Sequence, residues 1–409
     1  MRLLALLWLT AQTEAACDPQ GFDPKNAALD MARWRVHARP AVATARTLRA
    51  FGAYKFNASD GRETFPVSFG MVEGFPWPHR CDAEKYRRLH ATARFRASDV
   101  AVASYPKTGT TWVEQIVLLL LHGTNAKLDP ASRNTYNQRR NPLGCVWLEP
   151  MVASARRSRM TLAQFDDLPA PRVLKSHAPF DAFLGSRKGG ANASLANLKA
   201  TGLKTIYVAR NPKDAAVSMY FQRAPLPSKR NRSSRRMPMD AWCALYMRGY
   251  VSCGAFAEHV TRWHAVSSAP ASPVLFVTYE ALKADPAAGV ARIARFLGVA
   301  RTEAEIGDVV RLSSFDAMAV QAARRPRPGD ARNAKYAALS NGAVDRHSQA
   351  GHLRQGGTGT WVQHFSPLLS KQFDAAYRAA MGGAARRAAL AFGSAVAAPA
   401  FDFGHGCVM

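Results

Sequence analysis

The sequence predicts a single doubly wound α/β domain, a central parallel sheet with helices on both faces and a P-loop-like anion-binding loop after its first strand. Two observations predict it. Short apolar runs alternate with segments of helical spacing, the pattern of strands buried on both faces. The first of these runs opens straight into Lys107, Thr108, Gly109, Thr110, Thr111 and Trp112, a turn followed at once by a helix.

The elements follow in order. Val100–Ala103 is the first strand, and it ends at Ser104, Tyr105 and Pro106. Thr110 to His122 reads as a helix, because Trp112, Ile116, Leu119 and Leu120 fall at helical spacing. Arg172–Ser176, Thr205–Ala209 and Val274–Tyr279 are further strands, and Pro212 suits the first turn of a helix after the second of these. Val290, Ile293 and Leu297 mark one face of a helix after the last strand. Ser366 to about Met381 is the final helix. Residues 65–385 are thus expected to form the domain. Residues 17–64 read as an irregular segment, with weak periodicity and many Pro and Gly persisting to about residue 95. Residues 386–409 read as a dispensable Ala/Gly-rich tail.

Residues 1–16 start with Met1 and Arg2, continue with a short apolar run and end at Ala15 and Ala16. That is the pattern of a secretory signal peptide, and the run is too short to span a bilayer of about 30 Å as a helix. No transmembrane anchor is expected. A leader places the chain in the secretory pathway or Golgi lumen; without one, the cytoplasm is the alternative.

The chain of 409 residues carries a net charge of +26, with 55 Lys+Arg against 29 Asp+Glu. That excess suits anionic ligands. No basic stretch is interleaved with aromatics, so no nucleic-acid partner is expected. The six cysteines form no CxxC pair, and no metal site is expected.

Ligands of such sheets gather beyond the carboxyl ends of the strands. The loop after the first strand has the parts of an anion cradle there. Gly109 lets the backbone turn tightly, the first N–H groups of the helix point outward, Thr110 and Thr111 add hydroxyls, and Lys107 adds charge. Lys107 precedes the Gly, so the loop is not a Walker A motif, and the magnesium arrangement of phosphoryl transfer is missing. His177, just past the end of the second strand and two residues after Lys175, is placed to act as a general base at neutral pH. Arg210 ends the third strand and Ser218 follows about two turns into the next helix; Arg suits a bidentate phosphate contact, and a structural pair with Asp214 is the plain alternative. Arg354, Gln355 and Gly356 lie in a Gly-rich loop that could close over an anion.

These segments, in this order and at these separations, resemble the cytosolic sulfotransferase family over about residues 65 to 382. Lys107–Trp112 is similar to its phosphosulfate-binding loop, Val173–Pro179 to its Lys-Thr-His-Leu-Pro segment with Ser176 and Ala178 substituted, and Tyr207–Tyr220 to its 3′-phosphate segment. Arg354–Trp361 resembles its Arg-Lys-Gly loop, with Gln355 and Thr360 in place of Lys and Asp. Val274–Leu282 and Ser313, Ser314 and Phe315 resemble its adenine-side elements. The resemblance implies a nucleoside-kinase-like fold and 3′-phosphoadenosine 5′-phosphosulfate as co-substrate. It implies His177 as base, Lys107 and Lys175 as charge stabilisers, and Arg210, Ser218 and Arg354 on the 3′-phosphate. Trp112 and Tyr279 would flank the adenine. The acceptor would be a small molecule or glycan bearing a hydroxyl or amine. The inserts at Arg187–Gly202 and Arg223–Arg236 would reshape the acceptor pocket. The family's dimerisation motif is not legible between Val362 and Lys371, which leaves the oligomeric state open. A kinase on a similar fold and a silent polyanion binder are the rival classes.

Overall fold

In the computed structural model, the described residues are 36–37, 52–57, 64–72, 75–78, 89, 93–124, 145–151, 162–183, 190–223, 238–247, 249, 251–323 and 355–392. Two sheets occur among them. The first is antiparallel, in the order β1 (Val36–His37), β2 (Gly52–Asn57), β3 (Thr64–Val72) and β4 (Phe75–Pro78). The second is parallel and has the order β6-β7-β5-β8-β9, where β5 is Val100–Ser104, β6 Cys145–Trp147, β7 Val173–Ser176, β8 Lys204–Ala209 and β9 Val274–Thr278.

β5 sits at the centre, paired with β7 on one side and β8 on the other. The chain therefore winds outward from β5 in both directions. The loops leaving β5, β7 and β8 converge at one edge, which is where an open α/β sheet binds ligands. Side chains of β5 alternate between two cores. Val100 and Val102 join the helices Thr110–His122 and Pro286–Leu297 through Ile116, Leu120, Ile293 and Leu297. Ala101 and Ala103 face the other core, with Tyr105, Tyr207 and Trp263. The small alanines leave room for a ring stack in which Tyr207 lies 5.2 Å from Trp263 and 5.3 Å from Phe276.

Three expectations are corrected. The leading segment is not wholly irregular, because β2–β4 form a meander within it. The sequence from Thr64 alternates, with Phe65, Val67, Phe69 and Met71 on one parity, and Pro66 and Gly70 obscure that signal on the other. Pro66 is tolerated because β4 pairs only with Phe69–Val72, so β3 is paired on one side at Pro66. The final helix runs over Pro367–Phe392 and takes in the start of the expected tail. Gly382 and Gly383 read as a stop, but Ala384, Ala385 and the Ala-rich run beyond favour the helix, and Met381 and Ala384 are buried. Finally, β6 is a fifth strand that the sequence reading missed, since three residues are too few for periodicity to register.

Cys145, Cys243 and Cys253 are buried. No described helix is long and apolar enough to cross a membrane. Residues 1–16 and the basic loop after Arg223 lie outside the described residues.

Candidate active site

The loop after β5 turns through two left-handed residues. Lys107 has φ 75° and Gly109 φ 108°, and Gly109 caps the helix Thr110–His122. A non-Gly residue in that region carries strain, which surrounding contacts must hold in place. Thr108 provides such contacts: its buried hydroxyl lies 2.8 Å from both the Tyr105 and the Val208 carbonyl oxygens. The Thr108 side chain therefore ties the loop to β8 and does not face the cavity, contrary to the expectation for it. The Trp112 amide is also engaged, donating to the Gly109 carbonyl at 3.0 Å, so the outward N–H groups reduce to those nearer the turn. No acidic residue occupies the first turn of this helix, and its positive end is left open to an anion.

One cavity gathers most of the sequence-predicted residues. Lys107, Gly109, Thr110, Thr111, Trp112, Lys175, His177, Arg210, Ser218 and Tyr279 line it, and so do Ser313, Ser314, Phe315, Gln355 and Gly356. Arg354 falls outside the described residues. The helix Gly190–Thr201, within the first insert, packs on the Phe180–Ala182 turn and the C-terminal helix, and no residue of it lines the cavity. The described part of that insert therefore does not shape the pocket directly.

His177 is held at every polar atom of its peptide. Its N–H donates to Glu149 Oε1, which also accepts the Ser176 hydroxyl at 2.8 Å. Its carbonyl lies 3.2 Å from His259 Nε2, and His259 Nδ1 lies 2.8 Å from the Tyr207 hydroxyl. The Tyr207 O–H donates to Nδ1, so the His259 proton sits on Nε2. Burial drives the His259 pKa down to about 4, against the bonds to His177 and Ala178. The next carbonyl, Ala178, accepts from Trp263 Nε1 at 3.1 Å. On the His177 ring, Nδ1 lies 2.9 Å from the Ser104 carbonyl oxygen. A carbonyl only accepts, so Nδ1 carries the proton and the basic lone pair belongs to Nε2.

Lys175, two residues back on β7, sits 2.9 Å from Glu114 Oε1, and both side chains are about as buried as the core. Its ammonium also lies 5.1 Å from the Trp147 ring centroid. Burial lowers the Lys175 pKa, but its surroundings, Glu114 first and Cys145 and Glu149 after it, outweigh this and the net direction is up. Glu149 moves up from the usual carboxylate value because burial outweighs its bonds from His177 and Ser176.

On the far side, Arg210 ends β8 with its guanidinium 4.5 Å from the Tyr279 ring centroid, and it donates to the Gly357 carbonyl at 2.7 Å. Asp214 is 3.7 Å from Arg210, yet its carboxylate chiefly clasps the Gly-rich loop. It accepts the Gly359 N–H at 2.8 Å, the Trp361 N–H at 3.0 Å and the Thr360 hydroxyl at 3.0 Å. Thr360, the departure noted above, is thus a donor to Asp214. Tyr279 donates to the Gly356 carbonyl at 2.8 Å, and its ring meets Trp112 edge-on at 5.2 Å. These two rings form one corner of the cavity and not two jaws around a slot.

Sequence reasoning missed Glu114, Trp147, Glu149 and His259. Trp147 ends the unrecognised β6 and Glu149 lies just after it. Glu114 had a signal, a lone acid in the apolar run from Val113 to Leu120. Its burial implies a cationic partner.

Residues 97–385 match the sulfotransferase domain family. The chain belongs to the sulfotransferase family. Among similar sulfotransferases, it is 28% identical over 335 residues to mouse sulfotransferase 2B1, covering 81% of this chain and 85% of that one. It is 30% identical over 290 residues to dog sulfotransferase 1A1, covering 70% of this chain and 84% of that one. The fold is also that of the mouse sulfotransferase SULT7A1 solved with PAP, at TM-score 0.52 and 21% identity over 75% of this chain and 92% of that one. Retinol dehydratase solved with retinol and PAP superposes at TM-score 0.52 and 19% identity, over 88% of this chain and 95% of that one. The sulfotransferase match begins just before β5 and ends near Ala385, so it spans the parallel sheet and the cavity-lining loops.

Proposed function

We propose that this sulfotransferase moves a sulfuryl group from 3′-phosphoadenosine 5′-phosphosulfate to a hydroxyl or amine of a small acceptor, with His177 as general base. The observation that carries the reading is the His177 tautomer. With Nδ1–H on the Ser104 carbonyl, Nε2 is the atom that can take a proton, and His177 lines the cavity with Lys107 and Lys175.

The cavity chemistry suits the donor. Four cationic side chains line it, those of Lys107, Lys175, Arg210 and Lys283, and Arg210 Nε is buried without a hydrogen-bond partner among the described residues, as expected of a guanidinium awaiting an anion. PAP in the solved relatives supports the same donor class. In the reaction, His177 Nε2 takes the proton of the acceptor, and the acceptor oxygen or nitrogen bonds to sulfur. The bond from sulfur to the phosphate oxygen breaks, and that oxygen leaves with its electron pair on adenosine 3′,5′-bisphosphate. Lys107 and Lys175 stabilise the charge that develops there, the electrostatic work that usually dominates such steps. Arg210 and Ser218 take the 3′-phosphate, and Trp112, Tyr279 and Phe315 the base. No step calls for a metal.

The test is transfer of label from sulfur-35 donor to a panel of phenols, sterols, alcohols, amines and sugars. Labelled sulfate ester or sulfamate is expected with at least one class. Folded protein that binds adenosine 3′,5′-bisphosphate but labels none of the classes would refute a transferase acting on small acceptors.

A further inference from the structure

Lys175 raises a question of charge. Lys175 lines the cavity, yet its side chain is almost wholly removed from water. A buried charge without a partner is strongly disfavoured, and a buried Lys can answer by losing its proton. In this chain the partner is Glu114, 2.9 Å away, on the second turn of the helix that the anion loop opens. Glu114 is absent from the cavity lining, so of this pair Lys175 is the member that meets the cavity.

We propose that Glu114 is a positioning residue of the transfer site, a counter-ion that keeps Lys175 charged and aimed at the sulfuryl group in the enzyme before donor binds. This rests on Lys175 acting as a charge stabiliser. The geometry favours Glu114 over the other groups around Lys175. Glu149, from the short helix after β6, is engaged through Oε1 by Ser176 and His177. Burial raises the Cys145 thiol on β6 far above its usual range and keeps it neutral. Lys107 and His177 share the cavity but bring no negative charge. The Trp147 face helps the cation and leaves its proton free to go.

Once donor is bound, its own negative charge can hold the Lys175 proton. The effect of Glu114 therefore belongs to the free enzyme, which kcat/KM reports, more than to the complex, which kcat reports. The experiment is a pH profile from 6 to 10 of kcat/KM for the donor, and of kcat, in the full chain. Wild type, Glu114→Gln, Glu114→Asp, Lys175→Ala, Lys175→Arg and the Glu114→Gln/Lys175→Arg double variant are compared. Glu114→Gln should gain an alkaline limb, with kcat/KM falling about tenfold per pH unit above it while kcat falls less. Glu114→Asp, with its carboxylate one methylene further back, should show the limb at a pH between those of wild type and Gln. In the double variant the limb should vanish, because Arg stays protonated throughout. Should Glu114→Gln not fold, the displacement of Glu114→Asp from wild type decides. A limb that persists beside Lys175→Arg, or profiles of the Glu114 variants that overlay wild type, would overturn the proposal. Lys175→Ala with undiminished turnover would instead overturn the role of Lys175 itself, whatever Glu114 does.

Discussion

Replacing His259 with Gln removes one titratable group from directly behind the base, and its effect on stability has a sign and a size. His259 is buried at 1% exposure, and its pKa is about 4 against the usual 6.5. The folded chain thus holds this proton more weakly than the unfolded chain. The stability His259 confers is fully present above pH 6.5 and is lost as pH falls through about 4. A gap of about 2.5 units at about 1.36 kcal/mol per unit gives roughly 3 kcal/mol. Wild type alone would hide part of this. Burial raises the Glu280 pKa from 4.5 to about 7, so its contribution is lost as pH rises through that window and the two slopes oppose each other. The difference between wild type and His259→Gln isolates the histidine. Urea unfolding followed by tryptophan fluorescence should show that difference changing by about 1.4 kcal/mol per pH unit between pH 6.5 and 4, and flat above pH 7. Parallel curves for the two proteins would refute the reasoning, because His259 would then titrate alike in both states.

Two further substitutions probe the donor side. In Gly109→Ala the new Cβ would sit 2.7 Å from Tyr279 Cδ2 at a φ of +108°, and Tyr279 is fixed by Gly356 and Arg210. Affinity for adenosine 3′,5′-bisphosphate, measured by calorimetry, should fall by about five- to 150-fold, since backbone strain alone is worth about 1–3 kcal/mol; wild-type affinity would contradict the packing argument. Arg210→Ala should weaken binding of that bisphosphate by about ten- to a hundredfold, in line with a lost charged hydrogen bond of about 1.5–3 kcal/mol, and should spare the analogue lacking the 3′-phosphate. Equal losses for both ligands would remove Arg210 from the 3′-phosphate.

The anion loop was legible because its chemistry is local. Lys107, Gly109, Thr110 and Thr111 declare a turn and a cradle within a few residues of one another, and the strands beside them are apolar enough to be seen alone. His177 and Arg210 were legible because each directly follows such a strand. What supports them was not. Glu114, Glu149 and His259 act through partners far along the chain: Glu114 meets Lys175, Glu149 meets His177, and His259 meets both His177 and Tyr207. No periodicity encodes those meetings; the sheet order creates them. Thr108 shows the converse. Its position in the loop suggested a ligand contact, but the turn rotates its hydroxyl inward to two carbonyls. β3 was hidden by Pro66 and Gly70, residues that usually mark loops and are accommodated here by pairing on a single side.

If Nε2 of His177 takes the acceptor's proton, removing the imidazole must change how turnover depends on pH while leaving donor binding alone. Turnover of sulfur-35 donor with the best acceptor is followed against pH for wild type and His177→Ala, with calorimetric titration of adenosine 3′,5′-bisphosphate on both proteins. Bisphosphate affinity should be unchanged and turnover lower by roughly 10²-fold or more, with the acid limb of the wild-type profile gone from the variant. A His177→Ala enzyme that keeps both its rate and its acid limb would contradict proton transfer to Nε2, and the proton would have to go elsewhere.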